Sequence, residues 1–206
     1  NIFEKQGKVE FVELALWSEC FKPIKVFKEL TTDPLSSMTA SLAKFSDGQA
    51  AAIQMIISPA ESVWSRMGEA YLAKTKKSEA DPEKAKFKMS PADMEAIDNK
   101  IGKPGFLVTV RIVSTARTEG EAKSNLSNLK ATFAQFSNSM NGFSGKNIRF
   151  ANGFMVDFIY RYQSLFGNNS VMSSEELATV WHMPNKTVET PHIFWLNAKS
   201  APATGG

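Results

Sequence analysis

The clearest strand pattern in the chain reads Phe-Leu-Val-Thr-Val-Arg-Ile-Val-Ser-Thr-Ala, from Phe106 to Ala116. Every second residue from Phe106 to Ile112 is apolar, and Thr109 and Arg111 fall between them. This period of two is typical of a strand that turns one face toward a core. The segment therefore predicts a long strand with Arg111 on the face opposite its apolar residues.

A long helix is predicted directly after this strand. Thr118 and Glu121 stand three residues apart, which is the spacing of a capping box, and apolar residues then recur at helical spacing to about Asn138. Two turns and a short strand are predicted to follow, at 141–142, 144–145 and 148–150. Residues 154–166 fit either a helix or a strand, and a Ser173-capped helix comes next.

The N-terminal part of the chain repeats the order of strand, helix and strand. Strands are predicted at 9–16 and 50–57, and Asp33-Pro34 begins the helix between them, with Asp as the cap and Pro in the first turn. A second helix is predicted from about Ala60 to Lys77. A polar stretch around Asp81-Pro82 is interpreted as an exposed loop, and Ser90-Pro91 begins a connecting helix.

This order predicts an α+β fold with antiparallel or mixed sheets, packed helices and two split β-α-β (ferredoxin-like) halves. Residues 1–77 are assigned to the first β-α-β-α half and residues 78–105 to a polar loop and connecting helix. Residues 106–184 are assigned to the second half, and residues 185–206 to a Pro-containing exit linker.

Composition indicates a globular chain, since 43% of the residues are hydrophobic and 22% are charged. The formal net charge of +3 is too small to argue nucleic-acid binding by itself. No apolar run approaches the roughly 20 residues that cross a bilayer, so no membrane segment is predicted. The single cysteine, Cys20, excludes an internal disulfide framework.

The sequence carries no recognisable catalytic motif. It lacks a phosphate-binding loop, and one cysteine with two histidines (His182 and His192) cannot make the usual zinc patterns. Cys20 is interpreted as a small buried hydrophobe, although a Cys-His nucleophile pair stays open because partners need only meet in space. We therefore predict no catalytic, cofactor-binding or metal-binding residue and leave the binding residues unassigned.

Other charged residues also favour structural interpretations. His182 follows an apolar helical face, so we expect it to make a hydrogen bond that holds the helix end. Adjacent Glu175 and Glu176 must face different ways on a helix, which argues against an acid–base pair and suits the helix dipole instead. A solvated surface is the preferred reading for the lysines at 74, 76, 77, 84, 86 and 88. Arg111 and Arg117 leave open a sheet face that binds nucleic acid.

Two stretches of the chain resemble one family. Thr32–Phe45 with Gln49–Gln54 is similar to the Asp-Pro-Leu helix and Ala-x-Ile-Gln strand of bacterial type IV secretory system conjugative DNA transfer proteins. Glu175–Pro184 (Glu-Glu-Leu-Ala-Thr-Val-Trp-His-Met-Pro) resembles the Glu-Glu-Leu-Ala-Thr-x-Trp-His-x-Pro signature of the same family, and the Pro-punctuated segments at 188–191 and 199–202 resemble its exit. Between these motifs, roughly residues 60–147 match only in the order of their elements.

The resemblance implies a non-catalytic accessory domain ahead of a hexameric DNA-pumping ATPase, of which this chain would be a piece. The implied partners are the motor ATPase domain of the same parent protein, further copies of the domain or other secretion components, and DNA. The implied location is cytoplasmic, with membrane association supplied by the parent protein. Two alternatives stay open: a nucleic-acid-binding module, and an enzyme whose active site is dispersed over residues such as Cys20, His182 and Arg111.

Overall fold

The computed structural model describes residues 7–79, 89–146, 148, 150–163 and 170–183, with the backbone alone at residue 79. Its strands are β1 Lys8–Leu16, β2 Ala50–Pro59, β3 Gly105–Ala116, β4 Phe143–Gly145 and β5 Ser170–Ser173. Its α-helices are α1 Pro34–Leu42, α2 Val63–Glu79, α3 Pro91–Ile101, α4 Glu119–Thr132, α5 Ala151–Tyr160 and α6 Ser174–Val180. Short 3-10 turns lie at Phe27–Glu29 and Phe133–Phe136.

The five strands form one sheet, in which four follow one another in the order β2-β3-β1-β4 and β5 pairs with β3; every pair of neighbours is antiparallel. Strands β1 and β2 therefore run parallel on either side of β3, joined through α1. In the same way β3 and β4 run parallel on either side of β1, joined through α4. These are two interlocked split β-α-β units, so the predicted α+β, ferredoxin-like fold is confirmed.

Strand β5 extends this sheet. It pairs with the first residues of β3, from Gly105 to Val108, whereas β1 pairs with β3 from Val110 onward. Because β2 already occupies the other side of β3, β5 takes the position beside β3 that β1 leaves. The Leu16 backbone N–H donates a 3.0 Å hydrogen bond to Ser170 Oγ where the two strands meet.

The main core lies between the sheet and helices α1, α4 and α6. Val110 and Ile112 of β3 are fully buried there against Leu129, Phe133 and Phe136, which come from α4 and the turn after it. The even-numbered residues of β3 therefore face the core, as the period of two predicts.

The opposite face of the sheet is covered by α5. Phe154 and Phe158 of this helix are buried against Val113, and the Phe154 ring stacks on Phe11 with ring centroids 4.4 Å apart. Helices α2 and α3 form a hairpin with a smaller core of its own, which contains Trp64, Leu72, Ile97 and neighbouring residues. Both faces of β3 are thus buried, although its sequence alternates like that of a half-exposed strand.

Several local predictions were wrong. The predicted turn at 144–145 belongs to β4, and the described residues at 148 and 150 lie outside any strand. Helix α4 ends at Thr132 and tightens into a 3-10 turn, and α2 extends to Glu79 rather than ending at Lys77. Helix α5 begins at Ala151, ahead of the ambiguous segment 154–166, and covers that segment as far as Tyr160; β5 was not predicted. Strands of three or four residues have no usable period, because pairing with distant partners defines them.

Two of the assigned segments lie wholly or partly outside the described residues. The exit linker at 185–206 lies outside the described residues, and so does most of the polar loop, at 80–88. The division into halves at 77/78 and 105/106 stays a prediction.

Candidate functional site

Helix α6 begins with the predicted capping box. The Ser173 backbone N–H donates to Glu176 Oε2 at 2.8 Å, and the Glu176 N–H donates to Ser173 Oγ at 3.3 Å. Both donors would otherwise lack a partner at the start of the helix.

Glu176 is also half of a buried ion pair. Its side chain and that of Lys100 in α3 are almost inaccessible to solvent, and Lys100 Nζ lies 3.0 Å from Glu176 Oε2. The Lys100 ammonium also donates to the carbonyls of Lys22 and Val171, each at 3.1 Å. The Ile24 N–H donates to Glu176 Oε1 at 2.8 Å. This pair fastens α3, α6 and the loop after β1 to one another.

The adjacent Glu175 lies on the surface. It pairs with Lys103, and a second lysine, Lys28, lies 3.7 Å away. The hydrogen bond from Lys103 lowers the pKa of the Glu175 carboxyl below its ordinary value. As expected, the two neighbouring glutamates face different ways, and their partners are different lysines.

The two stretches that resemble one family contact each other. His182 Nε2 lies 3.2 Å from both carboxylate oxygens of Asp33, the residue that caps α1. Because an ionised carboxylate only accepts hydrogen bonds, this contact needs the Nε2 proton on His182. Thr179 Oγ1 accepts the Phe27 N–H at 2.9 Å. His182 therefore makes a hydrogen bond that holds the end of α6, as predicted, whereas Pro184 and His192 lie outside the described residues.

Arg111 does not present charge to solvent, which contradicts the alternative, left open above, of a charged sheet face at this residue. Its side chain is 1% exposed, because α5 covers this face of the sheet. Arg111 Nε donates to Glu13 Oε2 at 3.1 Å, and Nη1 donates to the carbonyls of Asp157 and Tyr162 at 3.2 and 2.8 Å. The guanidinium thus holds the C-terminal end of α5 against the sheet. Arg117, just beyond β3, is exposed.

The dispersed-site residues Cys20, His182 and Arg111 are not brought together. Cys20 is half-buried beside the core of the α2–α3 hairpin, His182 contacts Asp33, and Arg111 lies beneath α5. Burial raises the pKa of the Cys20 thiol, which leaves less of the reactive thiolate at neutral pH. Among the described residues, no group of three or more His, Cys, Asp or Glu side chains could hold a metal ion.

The lysines of the polar stretch are only partly described. Lys74, Lys76 and Lys77 are exposed on the last turns of α2. Lys84, Lys86 and Lys88 lie outside the described residues.

The outer edge of the sheet, at β2, is open along its length among the described residues. Strand β2 pairs with β3 over all ten of its residues, without a bulge, and no described strand pairs with its other side. A groove of about 930 Å³ follows this edge; we call it the β2 groove. It is lined by residues 52–57 of β2 together with Phe158, Ile159, Arg161 and Trp181.

Helices on both faces of the sheet contribute to the β2 groove. Ile159 belongs to α5, and Trp181 follows α6, which packs on the opposite face. These side chains are 57% and 51% exposed, and Ile57 of β2 itself is 44% exposed. The strand contains no charged residue. The edge therefore offers unpaired backbone groups flanked by apolar side chains, a combination that suits an added protein strand.

A second groove, of about 990 Å³, lies at the other end of β2. Its lining includes Trp17, Cys20, Lys22 and Trp64, together with the start of α2. The salt bridge from Lys22 lowers the pKa of Glu19 on its wall to about 2. It has a polar wall and lacks an unpaired strand, so it does not specify an occupant.

No helix in the described part of the chain is both long and apolar enough to span a membrane. Comparison with curated proteins finds none that matches the chain. One family model matches, over residues 3–196, which is nearly the whole sequence. The chain therefore belongs to the family described as Domain of unknown function (DUF8128).

Proposed function

We propose that the chain is a non-catalytic accessory domain that works by binding another protein chain at the outer edge of β2. The observation that carries this proposal is the ten-residue, uncharged, unbulged edge with apolar side chains on both sides of it. Natural sheets usually protect such edges with charges, proline, bulges or a covering segment. Among the described residues, β2 has none of these apart from Pro59 at its end, and such an edge is a template for strand addition. A groove that serves a partner has a reason to stay unprotected.

The charged residues support this reading, because most of the candidates for chemistry already have structural partners. Glu176 and Lys100 neutralise each other in the interior, and Arg111 is occupied by Glu13 and the end of α5. The described lining of the β2 groove consists mainly of apolar side chains, with Gln54 and Arg161 as its polar members. Those groups bind chains rather than transform small molecules.

The setting that we propose is a conjugative DNA-transfer ATPase of type IV secretion, as the motif resemblance implies. There the bound chain would be the motor domain of the same parent protein, another copy of this domain or another secretion component. The domain would lie in the cytoplasm, with membrane association provided by the parent protein. The contact between His182 and Asp33 supports the resemblance in one respect, because it joins the two motif stretches in the folded chain.

Photo-crosslinking tests the binding edge. A photoreactive amino acid at Ile57, in the full parent protein expressed in its own cells, is expected to form an adduct with a second protein chain. The matched control is Val63, a β-branched residue of similar exposure (50% against 44%) that lies on α2 outside the β2 groove. The proposal fails when position 57 gives no intermolecular adduct, or when position 63 gives the same adduct equally well.

Two assays on the purified chain test the non-catalytic assignment and its rivals. We expect no ATP hydrolysis above a buffer blank, and measurable turnover would overturn the assignment. Binding of DNA that weakens steeply with added salt would favour the nucleic-acid alternative instead. We expect no such binding at low salt.

A further inference from the structure

We propose that the chain bound at this edge is a second copy of the same domain, with the two β2 strands paired antiparallel about a two-fold axis. This inference rests on the proposed function, because it names the occupant of the same edge. The pairing would join two five-stranded sheets into one continuous sheet. A two-fold contact uses the same patch on both copies, so the strand must be complementary to itself.

The sequence of β2 has this self-complementarity. Directly opposite residues of an antiparallel pair point to the same face of the sheet, whereas neighbouring residues of one strand point to opposite faces. In a two-fold pair, one residue must therefore lie opposite its own copy, with the axis midway between the two. The register that centres on Gln54 places Ala51 opposite Ile57 and Ala52 opposite Ile56. Small side chains at one end of the strand thus meet large ones at the other. Pro59, which has no N–H to donate, falls outside the paired region.

Charge also permits the contact between identical strands. None of the ten residues of β2 is charged, so no like charges face each other along the paired strands themselves. Arg161 is the charged residue in the described lining of the β2 groove, and both copies would bring it to the contact. A charged edge would repel its own copy and would need a partner of opposite charge. The uncharged strand needs none, and Ile57, Ile159 and Trp181 flank it with apolar area from both copies.

The size of the contact predicts a weak dimer. Nine paired residues extend about 31 Å, and a strip about 10 Å deep across the side chains buries roughly 300 Å² per copy. A stable complex of ordinary size buries about 800 Å² per partner. The exposed side chains of Ile159 and Trp181 would add to this area. We therefore expect dissociation constants in the micromolar range rather than a permanent dimer.

Sedimentation equilibrium on the purified chain is the direct test. The wild-type chain should show a monomer–dimer equilibrium, I57K should weaken it at least ten-fold, and V63K should leave it within two-fold. Circular dichroism of each variant checks that it has folded. A wild-type chain that stays monomeric at several hundred micromolar overturns the inference, as does an I57K variant that dimerises like the wild type.

A second measurement needs no variant. Hydrogen exchange of the β2 amides in the wild-type chain should slow as protein concentration rises, while amides of the α2–α3 hairpin should not change. Exchange in β2 that is independent of concentration also overturns the inference.

The crosslink at position 57 separates this inference from the proposed function. An adduct of two identical chains supports both. An adduct with a different protein, together with a pure chain that stays monomeric, overturns the inference that the partner is a second copy but leaves the proposed strand binding at β2 intact. A crosslink within one chain, or none, overturns both.

Discussion

Replacing Glu176 with glutamine should strongly destabilise the protein although it changes little in volume. The carboxylate accepts two hydrogen bonds, from the Ile24 N–H and the Ser173 N–H, and it forms an ion pair with Lys100 Nζ. A glutamine side chain offers one oxygen in place of two, so its NH₂ group must face one of these donors. The substitution also leaves the Lys100 ammonium buried without a counter-charge.

The expected cost follows from these losses. An unsatisfied buried donor costs about 1–3 kcal/mol, and removing one partner of a buried ion pair costs about 3–5 kcal/mol in total. Domains of this kind have free energies of unfolding of about 5–15 kcal/mol, so E176Q should lose a large part of the total. Urea denaturation followed by circular dichroism measures this loss.

The neighbouring glutamate provides the matched control. E175Q removes the same charge from the next residue, but Glu175 and Lys103 are both about one-third exposed. A surface pair of this kind contributes about 0–1 kcal/mol. The double variant K100M/E176Q should lose less than the sum of the two single variants, because neither charge is then left alone. The reasoning is refuted when E176Q costs no more than E175Q, or when the two single losses simply add.

Three further predictions concern other parts of the fold. R111M should loosen the C-terminal end of α5, because the carbonyls of Asp157 and Tyr162 lose their hydrogen-bond donor. Hydrogen exchange should then accelerate more in α5 than in α4. Equal acceleration in both helices would contradict this. The raised pKa of Cys20 predicts that the native thiol reacts with iodoacetamide more slowly than free cysteine at pH 8 and speeds up as pH rises through that pKa; reaction faster than free cysteine would indicate an activated nucleophile. G105A should lower the free energy of unfolding in urea by about 1–3 kcal/mol, because its Cβ would lie 2.5 Å from the Trp64 indole. The control is G120A in α4, whose Cβ would meet nothing within 4 Å, so this variant should be neutral or stabilising. Similar values for both variants would show that packing at Trp64 is not the cause.

Local signals predicted most of the helices and the long strands. Asp33, Ser90, Thr118 and Ser173 each accept a backbone N–H at the start of a helix, where their sequence patterns predict a cap. A cap is recognisable because donor and acceptor lie within three residues of each other. The alternation in β3 likewise identified its core-facing residues.

The residues of the candidate site depend on contacts between distant parts of the chain. Arg111 has the spacing of an exposed strand residue, and it is buried only because α5 packs over it. The sequence of α5 is apolar around most of the helix, since Val156 and Ile159 lie outside the buried stripe of Phe154 and Phe158. Such a composition is typical of a helix that packs closely on the rest of the protein, and it could have indicated that α5 covers the sheet. The position of Lys100 could have indicated its burial, because it lies three residues after Ile97 and so on the buried side of α3.

The sequence by itself determined the α+β class, the positions of the three long strands and the caps of four helices, because each of these has a signal in the local sequence. The sequence also shows that β2 contains no charged residue. Only the tertiary structure decided that β2 lies at the edge of the sheet and β3 at its centre, since strand order depends on pairing between residues far apart. It also decided that Glu176 meets Lys100 and that His182 meets Asp33, because burial and proximity are properties of the packed chain.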